Sequence, residues 1–483
     1  MPRPKLELLD RELINRIVDE GIELLWDPGV MIYAPQALEL LADAGASVDF
    51  ESRVARIPED LVHQALHMAP SAFDLYNAQG EVAVRYGGDV VHFDPGSAAI
   101  TILDSETGRQ RKPVTADFVT HLKLAEGLEG LDAVSTALVC SDVPQAMADL
   151  YRLYLVLKYA RKPVITGAFA VDTFTIMKDM LAVVVGGEEA LAQRPIAVFD
   201  VCPSPPLAWS EITCHNLMDC ARYRIPAELV SMPLAGATAP VTLAGALAQH
   251  TAENLSGLVI HQLVQPGAPI VYGGSPAILD MRYGTTPMGA IETVMMDCAY
   301  AQIGRFLGLP THAYLGMSDA KIVDGQAGLE SGIGTILGAL AGVNMISGAG
   351  MLAFESCQSH EKLVIDNEII GMARRLLEGV VPVEDALATA LVRQVGHHGN
   401  FLATQHTRQW FRREQFIPSA VIDRASYRGW LDGGGMDIVA RARQRVKEIV
   451  AAYQPKELPA EVEKELTAIV TRVARQHGLE ELP

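Results

Sequence analysis

Cysteine is scarce in this chain: six among 483 residues, at positions 140, 202, 214, 220, 298 and 357, with no two in a CxxC pair. That excludes zinc-ribbon spacing and fits a reducing cytoplasm. HExxH, a GxSxG nucleophile elbow and a phosphate-binding P-loop are equally absent, so zinc-protease, serine-hydrolase and P-loop chemistry lack their signatures. His397, His398 and His406 lie near one another, but a His-His-Gly-Asn run is more often a capped turn than a ligand pair, and no metal site is expected. No stretch of about 18 apolar residues runs free of charged or turn residues, so no membrane span is expected either. The opening MPRPKLELLDRELI has neither a signal core nor transit-peptide character. Basic charge is the remaining deficit. Against 58 Asp and Glu stand 39 Lys and Arg, a formal charge of −19, and the longest basic run is Arg109–Lys112, broken by Gln110. So acidic a surface speaks against nucleic acid or an anionic membrane as partner and suits a solvated cytoplasmic protein.

Hydrophobic residues, by contrast, make up 49% of the chain, and there are 41 glycines. Leu9–Trp26 carries Leu13, Ile17, Ile22 and Leu25 at helical spacing and stops at Asp27-Pro28-Gly29; residues 35–45 and 59–69 repeat the pattern. Between Phe73 and Val84 the alternation shortens to that of strands. Residues 1–88 are therefore expected to form a helical layer with a hairpin, packed on the next domain. From Val90 the rhythm changes. Short β-rich runs begin there (VVHFD) and near Asp132 (DAVSTALV), Lys162 (KPVITGAF), Ile196 (IAVFDVC) and Pro226 (PAELVSM). Three more begin near Ala268 (APIVYGGS), Pro310 (PTHAYLG) and Gly342 (GVNMISGAG). Helix-period segments lie between them at 145–160, 175–187, 210–224, 241–264, 288–308 and 326–341. Near-continuous apolar strands belong to parallel sheets buried on both faces. Eight of them alternating with helices predict the α/β class and a (β/α)8 TIM barrel over 89–376. Helical pieces at 383–395, 437–452 and 459–477 predict a C-terminal helical extension over 377–483.

Barrel enzymes carry their chemistry at the C-terminal ends of the strands. Those positions hold His92 and Asp94, Ser141 and Asp142, Thr166 and Phe169, Asp200 with Cys202-Pro203-Ser204, and Ser231. They continue with Gly273-Gly274-Ser275 and Asp280, Gly316-Met317-Ser318-Asp319 and Lys321, then Gly348-Ala349-Gly350, Phe354 and Glu355. The glycines suggest an open mouth for something large. Phe169, Phe199, Tyr272, Tyr314 and Phe354 are rings able to face a cation, worth about 0.5–2 kcal/mol each; the plainer reading is barrel filling.

Six strings carry a resemblance: VCPSPPL (201–207), SMPLAGATAPVTLAG (231–245), VYGGSPAILDMRYGTTPMG (271–289), SDAKIVDGQAGLE (318–330), ALAGVNMISGAGML (339–352) and EKLVIDNEI (361–369). They resemble the trimethylamine methyltransferase (MttB-like) superfamily, from the helix near Ile17 to Tyr453, with SDAK…D.QAG the most distinctive. The resemblance implies a barrel methyltransferase that passes a methyl group, as in methanogenesis, to the Co(I) of a cognate corrinoid protein. No cofactor is then bound tightly by the chain itself. Founding members carry pyrrolysine at the position that falls on Met317. The chain resembles instead the non-pyrrolysine branch, known for quaternary amines such as glycine betaine, proline betaine and carnitine, which leave as tertiary amines. A neutral leaving amine needs no proton or nucleophile, only alignment.

Strand-end positions and resemblance together give the expected site. Met317, Asp319 and Glu355 are the catalytic candidates. His92, Phe169, Asp200, Tyr272, Asp280, Tyr314 and Phe354 are the substrate-binding candidates. Gly274, Gly316, Lys321, Gln326 and Gly348 are expected to face the corrinoid. Arg282 and Lys321 are candidates for a substrate carboxylate, each equally readable as half of a surface ion pair. A homo-oligomer is implied. Two other readings stay open: a betaine-binding or sensory barrel without catalysis, and a lyase or hydrolase using Asp200, Asp319 and Glu355 as acid/base groups on a small acid.

Overall fold

Strand and helix alternate eight times between His92 and Glu378. The structure, a computed structural model, describes residues 3–383, 387–454 and 458–483. The units are β1 (His92–Pro95) with α1 (Thr115–Gly127), β2 (Val134–Ser135) with α2 (Ala148–Tyr159), β3 (Val164–Thr166) with α3 (Val171–Val185), and β4 (Ala197–Val201) with α4 (Glu211–Tyr223). They continue as β5 (Ala227–Ser231) with α5 (Leu243–Val264), β6 (Ile270–Gly274) with α6 (Ile291–Phe306), β7 (His312–Tyr314) with α7 (Gly325–Ala341), and β8 (Met345–Ala349) with α8 (His360–Glu378). One parallel sheet runs β6-β5-β4-β3-β2 and a second runs β7-β8-β1. Backbone hydrogen bonds cross both seams: Tyr272 N donates to Pro310 O (2.9 Å), Asp132 N to Phe93 O (2.8 Å) and Ala99 N to Ala137 O (2.9 Å).

Each of the eight predicted runs contains one of these strands, and the prolines that precede several of them have a visible purpose. A proline at a strand's start gives up no ladder donor, while its carbonyl still accepts. Val134 N donates to Pro163 O (2.9 Å), Phe199 N to Pro226 O (3.0 Å) and Ala227 N to Pro269 O (3.2 Å). Helices α1 and α8 were not legible in advance. Helix α8 buries Glu361, Lys362, Asp366 and Glu368, and α1 buries Thr115 and His121, so polar residues interrupt their inward apolar faces.

The N-terminal residues cover two sides of this core. Helix Arg11–Trp26, capped by Asp10 accepting from Leu13 N (2.8 Å), buries Ile14, Ile17, Val18, Ile22 and Leu25. It packs on α5, which is consequently buried all round from Ala246 to Gln262. Each such apolar side chain contributes about 1.5–3 kcal/mol. The hairpin Phe73–Tyr76/Val82–Tyr86 inserts Leu75, Val84 and Tyr86 among Ala133, Ile165, Val198, Val271 and Met345, at the starts of five strands. One end of the strands is thereby plugged, and chemistry is left to the other.

In the C-terminal region Ile438–Ala452 lies on α1 and α8, and Ala460–Gln476 on α2 and α3. The helix expected at 383–395 is shorter: residues 384–386 lie outside the described residues, Leu387 and Ala388 take left-handed φ of 44° and 59°, and the helix runs Thr389–Val395. Among the described residues no helix is long and apolar enough to cross a membrane.

Candidate active site

Inward positions of β4, β5, β7, β8 and β1 build a polar network inside an otherwise apolar interior. Asp200 and Glu228 are paired in register on β4 and β5. His312 Nδ1 lies 3.0 Å from Glu228 Oε1, and His312 Nε2 is 2.8 Å from Ser347 Oγ. Ser347 in turn hydrogen-bonds Asp94 Oδ1. Tyr86, from the plugging hairpin, donates to Glu228 Oε2 (3.3 Å), and Tyr314 donates to Asp200 Oδ2 (3.2 Å). Burial pushes the carboxyls of Asp94 and Asp200 far above the usual range and Glu228 up to about 8, while it lowers His312 to about 4. The imidazole is therefore neutral, and the neighbouring acids share protons rather than carry full charges. Asp200 Oδ1 is shielded from solvent and accepts from no N–H or hydroxyl among the described residues, its carboxyl standing instead against that of Glu228.

Above this network the loops after β7 and β8 form the mouth. The run SDAKIVDGQAGLE resolves into a set of ties centred on Glu330. Its Oε2 accepts from Ser318 Oγ (2.6 Å) and Asp319 N (2.8 Å), and Gln326 Nε2 donates to its Oε1 (2.9 Å). Asp324 caps α7, accepting from Gln326 N and Ala327 N. Asp319 reaches across to the loop after β6 and accepts from Met288 N (2.8 Å) and Gly289 N (2.9 Å); burial nevertheless raises its carboxyl to about 6. A side chain at Gly289 would come within 2.6 Å of Glu330. Lys321 donates to Asp319 O (2.6 Å), and its Nζ stands 3.8 Å from the centre of the Phe354 ring. After β8 the antiparallel pair Met351–Leu352/Cys357–Gln358 is turned by Ala353, Phe354 and Glu355, all left-handed at φ 52°, 58° and 68°. That turn puts the Glu355 carboxyl near Asp200: burial first, then the Asp200 charge, push it up to about 8.

Residues 1–478 match the family described as Trimethylamine methyltransferase (MTTB). The chain belongs to that family. It is 34% identical to trimethylamine methyltransferase MttB of Methanosarcina thermophila, over 96% of this chain and 97% of the relative. It is 31% identical to MttB of Desulfitobacterium hafniense (strain DSM 10664 / DCB-2), over 97% and 94%. It is also 30% identical, over 99% of each chain, to the glycine betaine methyltransferase of Desulfitobacterium hafniense (strain Y51). Among solved structures the crystal structure of the Methanosarcina barkeri monomethylamine methyltransferase (MtmB) aligns with 98% of this chain and 89% of its own, with TM-score 0.52 and 13% identity. That likeness concerns the fold alone. The resemblance carried by the six strings is borne out by the family match, and the chain is a methyltransferase by family.

Within this MTTB-family chain the expected site residues fall into two groups. Asp200, Tyr314 and Glu355 converge: burial first, then the charges of Asp200 and Glu355, push the Tyr314 hydroxyl well above its usual pKa. Phe354, Asp319, Lys321, Gly316 and Met317 lie on the adjoining loops after β7 and β8, with Gly348 in β8 itself and Gln326 in the first turn of α7. Met317 is buried, and at Gly348 (φ 113°) a Cβ would sit 3.2 Å from it. Phe169 is at the end of β3 with its ring half exposed. The remainder stand elsewhere. His92 is at the plugged end, accepting from Arg85 N (3.2 Å) with Nδ1 3.4 Å from Asp132. Tyr272 points outward and donates to Thr251 of α5 (3.0 Å). A Cβ on Gly274 would strike His250, so that glycine serves packing rather than an open mouth; Gly316 is buried in the same way against Ala349. Asp280 holds a surface turn and pairs with Arg282 (2.6 Å), whose side chain is 80% exposed. Glu228, His312, Ser347, Tyr86 and Arg152 are not among the residues the sequence singles out. Glu228 alone left a signal, a carboxylate in the middle of the apolar run PAELVSM.

Proposed function

We propose that the chain takes a methyl group from a quaternary amine of the betaine type, delivers it to the Co(I) corrinoid of a separate cognate protein and releases a tertiary amine. In this reading the corrinoid is a substrate carried by the partner, and no cofactor is held tightly by the chain. The observation that carries it is the pair of carboxylates at the mouth. Burial, then the neighbouring Asp200 charge, disfavours a charged Glu355, and Asp200 Oδ1 accepts from no N–H or hydroxyl among the described residues. A cation beside Asp200 and Glu355 offsets charge that burial otherwise disfavours, and the Tyr314 and Phe354 rings add cation–π attraction. When the methyl carbon takes up the acceptor's electron pair, the C–N pair leaves with nitrogen and the amine departs neutral. The protein's work is then to hold the ammonium group, aim one methyl outward and exclude water. Lys321 and Gln326, exposed on the rim, are positioned for the incoming corrinoid protein.

The same reading takes the two sheets as one closed (β/α)8 barrel, supported by the hydrogen bonds across both seams and by the hairpin plug. Its divisions are an N-terminal layer (1–88), the barrel (89–376) and a helical extension (377–483), in a cytoplasmic homo-oligomer. A second reading draws on the chain Asp94–Ser347–His312–Glu228, which is suited to moving protons, as in a lyase or hydrolase. The deciding experiment mixes the protein, a corrinoid protein reduced to Co(I), and a panel of glycine betaine, proline betaine, carnitine, γ-butyrobetaine, choline and trimethylamine. Betaines are expected to react and trimethylamine to react poorly. Turnover of trimethylamine alone overturns the substrate class. Betaine binding without transfer to any of several corrinoid partners leaves a binding protein.

A further inference from the structure

We propose that Arg152 recognises a substrate carboxylate, so that the donor lies with its ammonium group toward Asp200 and Glu355 and its carboxylate on this guanidinium. The assignment rests on the methyl-donor reading above and names the half of the substrate which that reading leaves open. Arg152 lies in the first turns of α2 and is 1% exposed. Its side chain runs to the end of β2, where Nη1 donates to Thr136 O (2.6 Å) while Nε donates to Ala148 O (3.2 Å). Nη2 is sealed from solvent and has no partner among the described residues.

Among the described residues no carboxylate hydrogen-bonds it; the Asp149 charge acts on it only through space. Asp149, the closest acid in sequence, is already engaged by Leu150 N (2.8 Å), Phe169 N (2.8 Å) and Thr173 Oγ1 (2.6 Å). Two other buried cations are paired directly with acids, Lys362 with Asp366 and Lys178 with Asp179 and Glu188. A buried charge without a hydrogen-bonded counterion costs several kcal/mol, and a guanidinium fork matches a carboxylate in shape and charge.

Position agrees with chemistry. The Phe169 ring, 54% exposed, covers the guanidinium with its centre 4.8 Å from Cζ. Gly167, two residues before Phe169, backs onto Asp200: a Cβ there would stand 3.5 Å from Asp200 O. Arg152 and Asp200 therefore flank the same strand end, and the Asp200 charge favours the cationic guanidinium. Burial lowers the Arg152 pKa only to about 10, so it stays cationic at neutral pH. Arg282 is engaged with Asp280 and Lys321 with Asp319 O, whereas Arg152 keeps an unpaired, buried nitrogen among the described residues.

Calorimetry on the full chain without a corrinoid partner tests this. Glycine betaine, its methyl ester and tetramethylammonium share a cationic head, and only the first carries a carboxylate. The wild type is expected to bind glycine betaine at least tenfold more tightly than the other two. Arg152→Lys, which keeps a charge and a donor, is expected to cut that preference about tenfold while tetramethylammonium affinity stays within twofold. Arg152→Met is expected to abolish the preference, with a thermal melt checking that it folds; should it not fold, the wild type and the lysine variant decide. A wild type indifferent to the carboxylate overturns the assignment, and so does an undiminished preference in Arg152→Lys. A carboxylate preference lost in Arg152→Lys, together with no methyl transfer, would keep Arg152 and reject the donor reading. Equal methyl transfer from glycine betaine and tetramethylammonium in both proteins would do the reverse.

Discussion

Glu355 is the third of three consecutive non-glycine residues in left-handed conformation, an arrangement that costs of order 1–3 kcal/mol per residue and collects at functional sites. The strain holds a carboxyl over Asp200 that burial raises to about 8. Below that pH the free protein keeps Glu355 protonated, and a bound cation favours the charged form, so binding expels a proton. Quaternary-amine affinity measured by calorimetry should therefore rise from pH 6 to 8 and level off above. In Glu355→Gln it should be weaker, by about tenfold at pH 8, and rise less with pH, while the melting temperature holds. A pH dependence unchanged by the substitution would remove Glu355 from the site. Glu355, Asp200 and Tyr314 were legible because strand ends are where barrel chemistry lies. Arg152 was not, because a lone arginine on a helix looks like every other; only its buried, unpaired nitrogen singles it out. His92 misled because one strand has two ends, and its partner Arg85 belongs to the plug.

At the scale of elements, α8 fastens the β7 and β8 loops. Lys362 Nζ donates to Asp366 Oδ2 (2.5 Å) and Ser331 Oγ (2.7 Å), and Asp366 accepts from Gly350 N (2.7 Å). Both side chains are buried, and leaving one of such a pair alone costs about 3–5 kcal/mol. Lys362→Met should therefore lower the melting temperature strongly, and Lys362→Met/Asp366→Leu should recover part of the loss. Equal melting of wild type and Lys362→Met would show that the tie does not hold the loops. The string EKLVIDNEI was noticed only for its resemblance, since buried charges mask an amphipathic pattern. The strands were legible for the opposite reason: parallel strands covered on both faces are apolar throughout.

For the whole molecule, buried titratable groups set how stability depends on pH. Asp94, Asp200, Glu228 and Glu355 hold protons more tightly folded than unfolded. His121, His250 and His261, lowered to about 3, bind them less tightly. Below about 6.5 the two sets oppose each other. Between about 6.5 and 8 the histidines are neutral in both states, so only the acids act, and the folded state binds more protons. Stability must then fall as pH rises through that window, and Glu228→Gln should flatten the fall in a series of thermal melts; a wild type that gains stability from pH 6.5 to 8 would contradict the assignment of these acids. The central claim concerns the reaction, and the cobalt chromophore reads it most directly. With glycine betaine as donor and the corrinoid partner held at Co(I), the visible spectrum should convert to that of methyl-Co(III) while dimethylglycine accumulates in equal amount. A Co(I) spectrum unchanged by every quaternary amine, with trimethylamine alone converting it, would contradict the account.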